Sequence, residues 1–435
     1  MVRLTIILSR YILVILCSLF TFVIYKSVSC KGVLLKQYNV LQKLLMYLIH
    51  FIMNAIIYLY SENISIIVFY IGQIIFFVLY DFFMNKLYPE YNKILNNLMI
   101  FMLMVSFGIN TRLNYTLSKK QFYICIFSGL ITIVFPKIME KSKEIRNYVY
   151  IFGVLGIAVL AYVYVMGSET LGAKLAIDFG FIRVQPSEFV KVSFVLFLCG
   201  ILYKSKTIKG VLISGIFAAM HVLLLVLSKD LGTALILCVV YLFIVFMATG
   251  KKRYLIGGLT LGSVASVVAY KIFSHVQVRV EAWSNPWPII DGKGYQITQS
   301  LFAICTGGLF GSGLFYGLPE DIPVVEQDFI FSAICEELGS FFGIAIILLS
   351  MCIFVLIIRI SVNCEDEFYK LTTAALAVSY SFQIFLTVGG AIKLIPSTGV
   401  TYPFLSYGGS SLLATFAVFL ILQGVFINEK KINKQ

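Results

Sequence analysis

The sequence predicts an all-α, polytopic transmembrane helix bundle, and three observations lead there. Hydrophobic residues make up 60% of the chain and charged residues only 13%, whereas a soluble domain carries roughly half apolar and a quarter charged residues. A soluble fold of that composition would lack the polar surface to cover itself. Apolar runs of ~18 residues or more, the length that spans a bilayer, recur from end to end; Leu231–Thr249 and Leu338–Ile358 are clear cases. Most Lys and Arg residues collect in the short connections between these runs, where they orient spanning helices.

The formal net charge of +13 raises nucleic acid as a partner, but its confinement to connections argues against one, and no nucleic acid is expected. Nine cysteines are scattered with no CxxC pair and no Cys/His cluster, which speaks against a disulfide framework and a zinc site. His50, His221 and His275 lie far apart and give no metal-ligand spacing.

Thirteen candidate spans lie near 5–25, 43–60, 63–84, 95–110, 121–137, 147–166, 187–204, 208–228, 231–249, 254–273, 334–360, 368–390 and 411–428. The first is the weakest, since Arg10 interrupts it; it lacks the cleavage-site pattern of a signal peptide. The basic connections Lys137–Arg146, Lys204–Lys209 and Lys251–Arg253 and the tail Glu429–Gln435 are expected in the cytoplasm. Alternation then puts the N-terminus outside and a loop Lys31–Lys43 inside. Arg112, Lys119 and Lys120 fall outside, against the rule. The same alternation places one long segment, roughly Ser274–Phe329, on the outer face. It carries Trp283 and Trp287, for which a membrane-boundary anchor is sufficient explanation, and a connection this long is more often functional than idle.

Four polar clusters interrupt the apolar pattern at predicted outer ends of spans. The first runs Arg183-Val-Gln185-Pro-Ser187-Glu188-Phe-Val-Lys191. Pro186 suits a first helical turn, and Glu188 and Lys191 share one helix face. Ionisable groups inside a span are costly unless they are paired or face a cavity, so an internal ion pair and a functional role weigh equally here. In the second, Asp230-Leu-Gly-Thr233, capping is favoured over shaping of a cavity. The third holds Glu326, Asp328, Glu336 and Glu337. Apolar walls beside Asp328 would raise its pKa and suit it to proton abstraction, and capping the next helix is the other reading. The fourth, Lys393-Leu-Ile-Pro-Ser-Thr-Gly399 through Ser406-Tyr-Gly408-Gly409-Ser410-Ser411, is a Pro/Gly-punctuated entry to the last span. Its backbone N–H groups and Lys393 offer an anion cradle for a pyrophosphate.

Together these residues resemble the shape, elongation, division and sporulation (SEDS) family of RodA, FtsW and SpoVE. Four motifs stand in the family's order: Gln185-Pro-Ser-Glu188 with Lys191; Asp230-Leu-Gly-Thr233; Asp328-Phe-Ile-Phe with Glu336-Glu-Leu-Gly339; and Pro403-Phe-Leu-Ser-Tyr-Gly-Gly-Ser-Ser411. Asn285-Pro-Trp287 and Gly294-Tyr-Gln-Ile-Thr-Gln-Ser300 match the family's long outer loop. The resemblance covers Leu95 to the C-terminus. It divides the chain into 1–94, three extra N-terminal spans, and 95–435, a ten-helix core with a long extracellular loop 274–329.

The resemblance implies a peptidoglycan glycosyltransferase of the bacterial cytoplasmic membrane. Such an enzyme joins lipid II disaccharides into β-1,4 glycan strands and releases undecaprenyl pyrophosphate, in elongation, division or sporulation. The family's essential aspartate falls on Asp328, which would deprotonate the attacking hydroxyl, and Arg183 and Lys191 stand at matching basic positions. A class B penicillin-binding protein, a single-span transpeptidase, is the implied partner, beside lipid II and membrane lipid. The chain departs from the family pattern where Leu175-Ala176 replace Arg-Trp, Glu326-Gln327 replace His-Thr, Ser228-Lys229 replace Gln-Pro, and Thr387 replaces an Asn. Glu326 either raises the pKa of Asp328 or shares a divalent cation, Mg or Mn, with it. The competing functions are a lipid II flippase and a non-catalytic scaffold of a cell-wall synthesis complex. An intramembrane protease is not expected, because the Gly-Ser-Gly at 311–313 has no nearby His or Lys base.

Overall fold

A computed structural model of the chain describes residues 2–134, 145–170, 173–178, 180 and 183–432. Within them run α1 (Val2–Ser29), α2 (Gly32–Ser61), α3 (Ile64–Leu87), α4 (Lys93–Leu113), α5 (Tyr115–Val134) and α6 (Val149–Met166). Three short antiparallel strands follow, β1 (Ser168–Thr170), β2 (Ala173–Asp178) and β3 (Arg183–Val184), in the order β1-β2-β3. Then come α7 (Pro186–Lys204), α8 (Ile208–Leu227), α9 (Leu231–Thr249), α10 (Lys252–Ile272), α11 (Ser274–Ser284) and α12 (Tyr295–Gly307). The chain closes with α13 (Ile330–Leu338), α14 (Ser340–Val362), α15 (Glu367–Ala391) and α16 (Gly409–Ile432). Among the described residues 13 helices, α1–α10 and α14–α16, are long and apolar enough to cross a membrane.

The centre of the bundle is α4. Its Leu, Met, Phe and Ile residues surround the whole helix, and a helix apolar on every side is one that is covered on every side. It is buried without a break from Ile94 to Arg112, packed by α1, α2, α5 and α14. At the other extreme, α10 buries none of its residues and packs on α9 and α11.

The structure corrects three expectations. The expected loop Lys31–Lys43 is mostly helix, because α2 begins at Gly32 and Lys43 is neutralised from α3 by Asp81 at 2.5 Å. The expected loop 274–329 is largely folded, holding α11 and α12 and two 3₁₀ turns. The expected span 334–360 is two helices that meet at Gly339. Gly339 has φ +91°, and a Cβ there would lie 2.4 Å from the Gly311 nitrogen and 2.5 Å from the Leu309 oxygen. Chain 308–313 passes so close that Ser340 N donates to Gly308 O at 2.9 Å, and Ser312 N and Gly313 N donate to Glu336 O and Glu337 O, each at 2.9 Å. Of the expected basic connection Lys137–Arg146 only Ile145 and Arg146 are described, and Asn433–Gln435 of the tail lie outside the described residues.

Arg112, which broke the charge rule, does not act as a loop charge. Its Nε donates to Glu337 Oε1 at 2.8 Å, another nitrogen of its guanidinium pairs with Glu320, and its side chain is only 4% exposed. A charge consumed by a buried carboxylate contributes little to orientation at the surface.

The close crossing at Gly339 predicts that Gly339→Ala is strongly destabilising, by about 1–3 kcal/mol from the left-handed backbone alone and further from contact with immovable backbone atoms. Gly262, with open space around its Cβ position on α10, is the control. Thermal unfolding in detergent should show a large fall for Gly339→Ala and none for Gly262→Ala; equal melting would mean that the crossing is loose.

Candidate active site

At one end of the bundle, the N-termini of α7 and α9, the side of α11, the start of α12, the approach to α13 and the chain 395–411 leading into α16 enclose a cavity of about 540 Å³. Three of the four polar clusters are bolted together there by short polar contacts. Asp230 Oδ1 accepts from Thr233 N at 3.1 Å, capping α9 as its position suggests. Its other oxygen accepts from Ser187 Oγ at 2.8 Å and from Gln185 Nε2 at 3.4 Å, and Gln185 N donates to Ser410 Oγ at 2.9 Å. One aspartate thus caps its own helix and ties it to the start of α7, which in turn is pinned to the start of α16.

The third cluster joins through the backbone. Ser406 Oγ donates to Gln327 O and accepts from Tyr402 N at 2.8 Å, while Tyr407 N donates to Glu326 O at 2.7 Å. Behind them, Ser106 Oγ donates to Leu405 O at 2.6 Å and Gln121 Nε2 to Ser406 O at 3.2 Å. The chain carrying Asp328 is therefore held on its neighbour, and that neighbour on α4 and α5.

Asp328 lines the cavity. The capping alternative does not hold, because α13 takes Phe329 as its N-cap and makes no side-chain cap bond. Burial pushes the Asp328 carboxyl up to about 6, against Arg279, which pulls it down. Arg279 projects from α11 and donates through Nη1 to Ser397 O at 2.9 Å. Burial lowers its pKa while Asp328 and Asp230 support its charge. Arg183, Lys229 and Lys293 also line the cavity, so four cationic side chains face the two carboxylates Asp230 and Asp328. The space can bind an anion and keep one carboxylate poised to accept a proton.

Of the residues expected at the site, Asp328, Arg183, Gln185, Asp230, Gly408, Gly409 and Ser410 line the cavity. Ser187 is one layer behind them, and Ser406 is a buried fastening rather than a wall. Glu188 and Lys191 do not reach the cavity. They pair with each other at 2.8 Å, both nearly buried, in a small separate pocket where Lys191 Nζ also donates to Gln383 Oε1 at 2.7 Å. Lys393 is also outside the lining: its carbonyl accepts from Trp283 Nε1 at 3.1 Å, and the expected cradle built on its ammonium does not form. Glu326 joins the fastening by its backbone, and its side chain is not in the lining. A divalent cation shared by Glu326 and Asp328 does not fit this donor set. Among the described residues no group of three or more His, Cys, Asp or Glu side chains gathers, and the groups around Asp328 are cationic.

Sequence reasoning missed Arg279, Lys229, Lys293 and Gln296. The signal for Arg279 was slight, a lone arginine in the polar helix of the long segment. Lys229 was noted only as a departure from a family pattern, yet it puts a cation in the cavity wall.

A bundle of helices long and apolar enough to span a membrane, with a cavity at one end that holds four cationic side chains and a buried aspartate, fits a multi-pass membrane protein. The family model for the cell cycle proteins FtsW, RodA and SpoVE matches residues 87–431, and the chain belongs to that family. It is 37% identical over 303 residues to the peptidoglycan glycosyltransferase RodA of Mycobacterium bovis, a match covering 65% of each protein. It thus spans about two thirds of the length of the mycobacterial relatives that it matches. With the probable peptidoglycan glycosyltransferase FtsW of Wigglesworthia glossinidia brevipalpis it shares 31% identity over 345 residues, 76% of this chain and 89% of that one. In fold it resembles a chain from a peptidoglycan synthase complex, with TM-score 0.68 and 23% identity over 78% of this chain and 98% of the other. The Thermus thermophilus rod shape determining protein RodA gives TM-score 0.59 and 22% identity over 77% and 96%.

The isolated pair behind the site yields a second prediction. Glu188→Ala or Lys191→Ala leaves an uncompensated buried charge and should destabilise by about 3–5 kcal/mol. Exchanging the two residues should recover part of that loss, incompletely because Gln383 then faces the wrong partner. Single variants that melt like the parent in detergent would show that the pair carries no such energy.

Proposed function

We propose that the chain is a peptidoglycan glycosyltransferase that polymerises lipid II into β-1,4 glycan strands at the outer face of the bacterial cytoplasmic membrane. The observation that carries this reading is Asp328, a buried carboxylate with raised pKa in a cavity whose wall also holds Arg183, Lys229, Arg279 and Lys293. In the proposed reaction Asp328 takes the proton of the attacking sugar hydroxyl as the new glycosidic bond forms. The bond to the leaving undecaprenyl pyrophosphate breaks, and its growing negative charge falls among Arg279, Arg183, Lys229 and Lys293. Residues 95–435 are read as the catalytic core with an outer segment 274–329, and 1–94 as an addition to it. A class B penicillin-binding protein, supplying the cross-linking activity, is the proposed partner, in elongation, division or sporulation.

The orientation is tested first. A cysteine introduced at Ser284, in the segment beside the cavity, should react with a membrane-impermeant thiol reagent in intact cells, with the native cysteines replaced. Labelling confined to lysed cells would put the cavity on the wrong side for this substrate.

The chemistry is tested with purified protein and lipid II. A general base contributes ~10²–10⁴-fold, so Asp328→Asn should abolish detectable polymer, and Asp328→Glu should leave a small residue of activity. Glu326→Gln, outside the cavity, should act nearly like the parent. The base works only as carboxylate, so the rate should fall as pH drops through about 6. Normal polymer from Asp328→Asn would transfer first place to lipid transport, which needs no single essential carboxylate.

A further inference from the structure

Of the three N-terminal helices, which precede the main body of the family match, α1 and α2 reach the chain that supports Asp328. From α1, Arg10 Nη1 donates to Gly311 O at 2.8 Å, Tyr11 packs on Phe310 with ring centroids 5.2 Å apart, and Ile6 lies against Gly313. From the last turn of α2, Tyr60 stacks on Phe315 at 4.0 Å with the rings only 10° from parallel. Phe315 needs such support. It holds a left-handed backbone, φ +69°, which is costly for a bulky residue and persists only where its surroundings enforce it. The Arg112 guanidinium also lies over its ring, at 4.9 Å, and Phe315 N donates to Glu337 Oε1 at 2.9 Å.

The gripped segment is coupled to the aspartate by rigid parts. Ser312 N and Gly313 N bond to the carbonyls of Glu336 and Glu337 at the C-terminal end of α13, and Leu318 N donates to Glu336 Oε1 at 2.8 Å. That helix is nine residues long, fully buried, and Asp328 stands two residues before its start. A shift of segment 308–318 therefore moves the seat of α13, and with it the carboxylate.

We infer that α1 and α2 act as a clamp on segment 308–318, with Arg10 and Tyr60 as positioning residues that hold α13 and hence Asp328 in register with the cavity. This rests on the proposed polymerase reading for its consequence on rate, but not for the existence of the clamp. A misplacement of about 1 Å can cost up to ~10²-fold in rate, so the Arg10→Ala/Tyr60→Ala double variant should lose kcat by about 10-fold or more, with KM for lipid II little changed. Tyr60→Phe keeps the stacked ring and should keep the rate. Tyr25→Ala, on the exposed side of α1, should behave as the parent.

The clamp has a readout independent of activity. Leu318 points outward, and a nitroxide attached at Leu318→Cys, in full-length protein with the native cysteines replaced, should become more mobile in the double variant while thermal unfolding stays near that of the parent. An unchanged label would overturn the clamp. A looser label with unchanged kcat would overturn the positioning role. If the parent made no polymer at all, the polymerase reading would fall, and label mobility would still decide whether α1 and α2 hold the segment.

Discussion

The buried ion pair between Arg112 and Glu337 settles how the middle of this molecule is built. It links the end of α4, the most buried of the membrane-length helices, to the end of α13, a short helix that never spans the bundle. Buried backbone N–H and C=O groups must find hydrogen-bond partners. Here chain 308–318 wraps the end of α13 and meets that demand with N–H groups directed to the Glu336 and Glu337 carbonyls and carboxylates. Removing Arg112 would leave Glu337, 1% exposed, without its cationic partner, and unpaired buried charge is among the most costly things a fold can hold.

From this seat the rest of the site follows. With α13 fixed, Asp328 is delivered to the cavity edge, and the chain before it is stitched to 402–410 by Ser406 and Tyr407. That chain is joined through Ser410 to Gln185, and through Gln185 and Ser187 to Asp230. Motifs separated by more than 200 residues thereby share a few polar atoms. The perturbed carboxyl of Asp328 is the product of two opposing effects, the cavity wall raising it and Arg279 lowering it, with the wall prevailing.

Much of the site was legible in the sequence because polar residues inside apolar runs are conspicuous. Gln185, Asp230, Asp328 and Ser410 stood out for that reason and came together. The same signal also marked Glu188, Lys191 and Lys393, which do not line the cavity. Being ionisable near a membrane marks a residue as needing a partner or a cavity, and spacing along the chain does not say which of the two it has found. Glu188 and Lys191 found each other and Gln383. Arg279 was missed because a cation in a polar connecting helix looks like solvated surface.

What the sequence determined by itself is the bundle: its predominantly helical class, the 13 helices among the described residues that are long and apolar enough to span a membrane and the position of its polar clusters at helix ends. Each of these rests on hydropathy and helix geometry over some 20 residues, and such local forces are written in local sequence. Only the tertiary structure decided which charges meet, where the apparent span at 334–360 breaks, and that Arg10 and Tyr60 touch the chain beneath Asp328. Those outcomes depend on how closely two backbones pass, as at Gly339 and Gly311, and on burial created by distant helices. No stretch of sequence contains that information until the helices are packed.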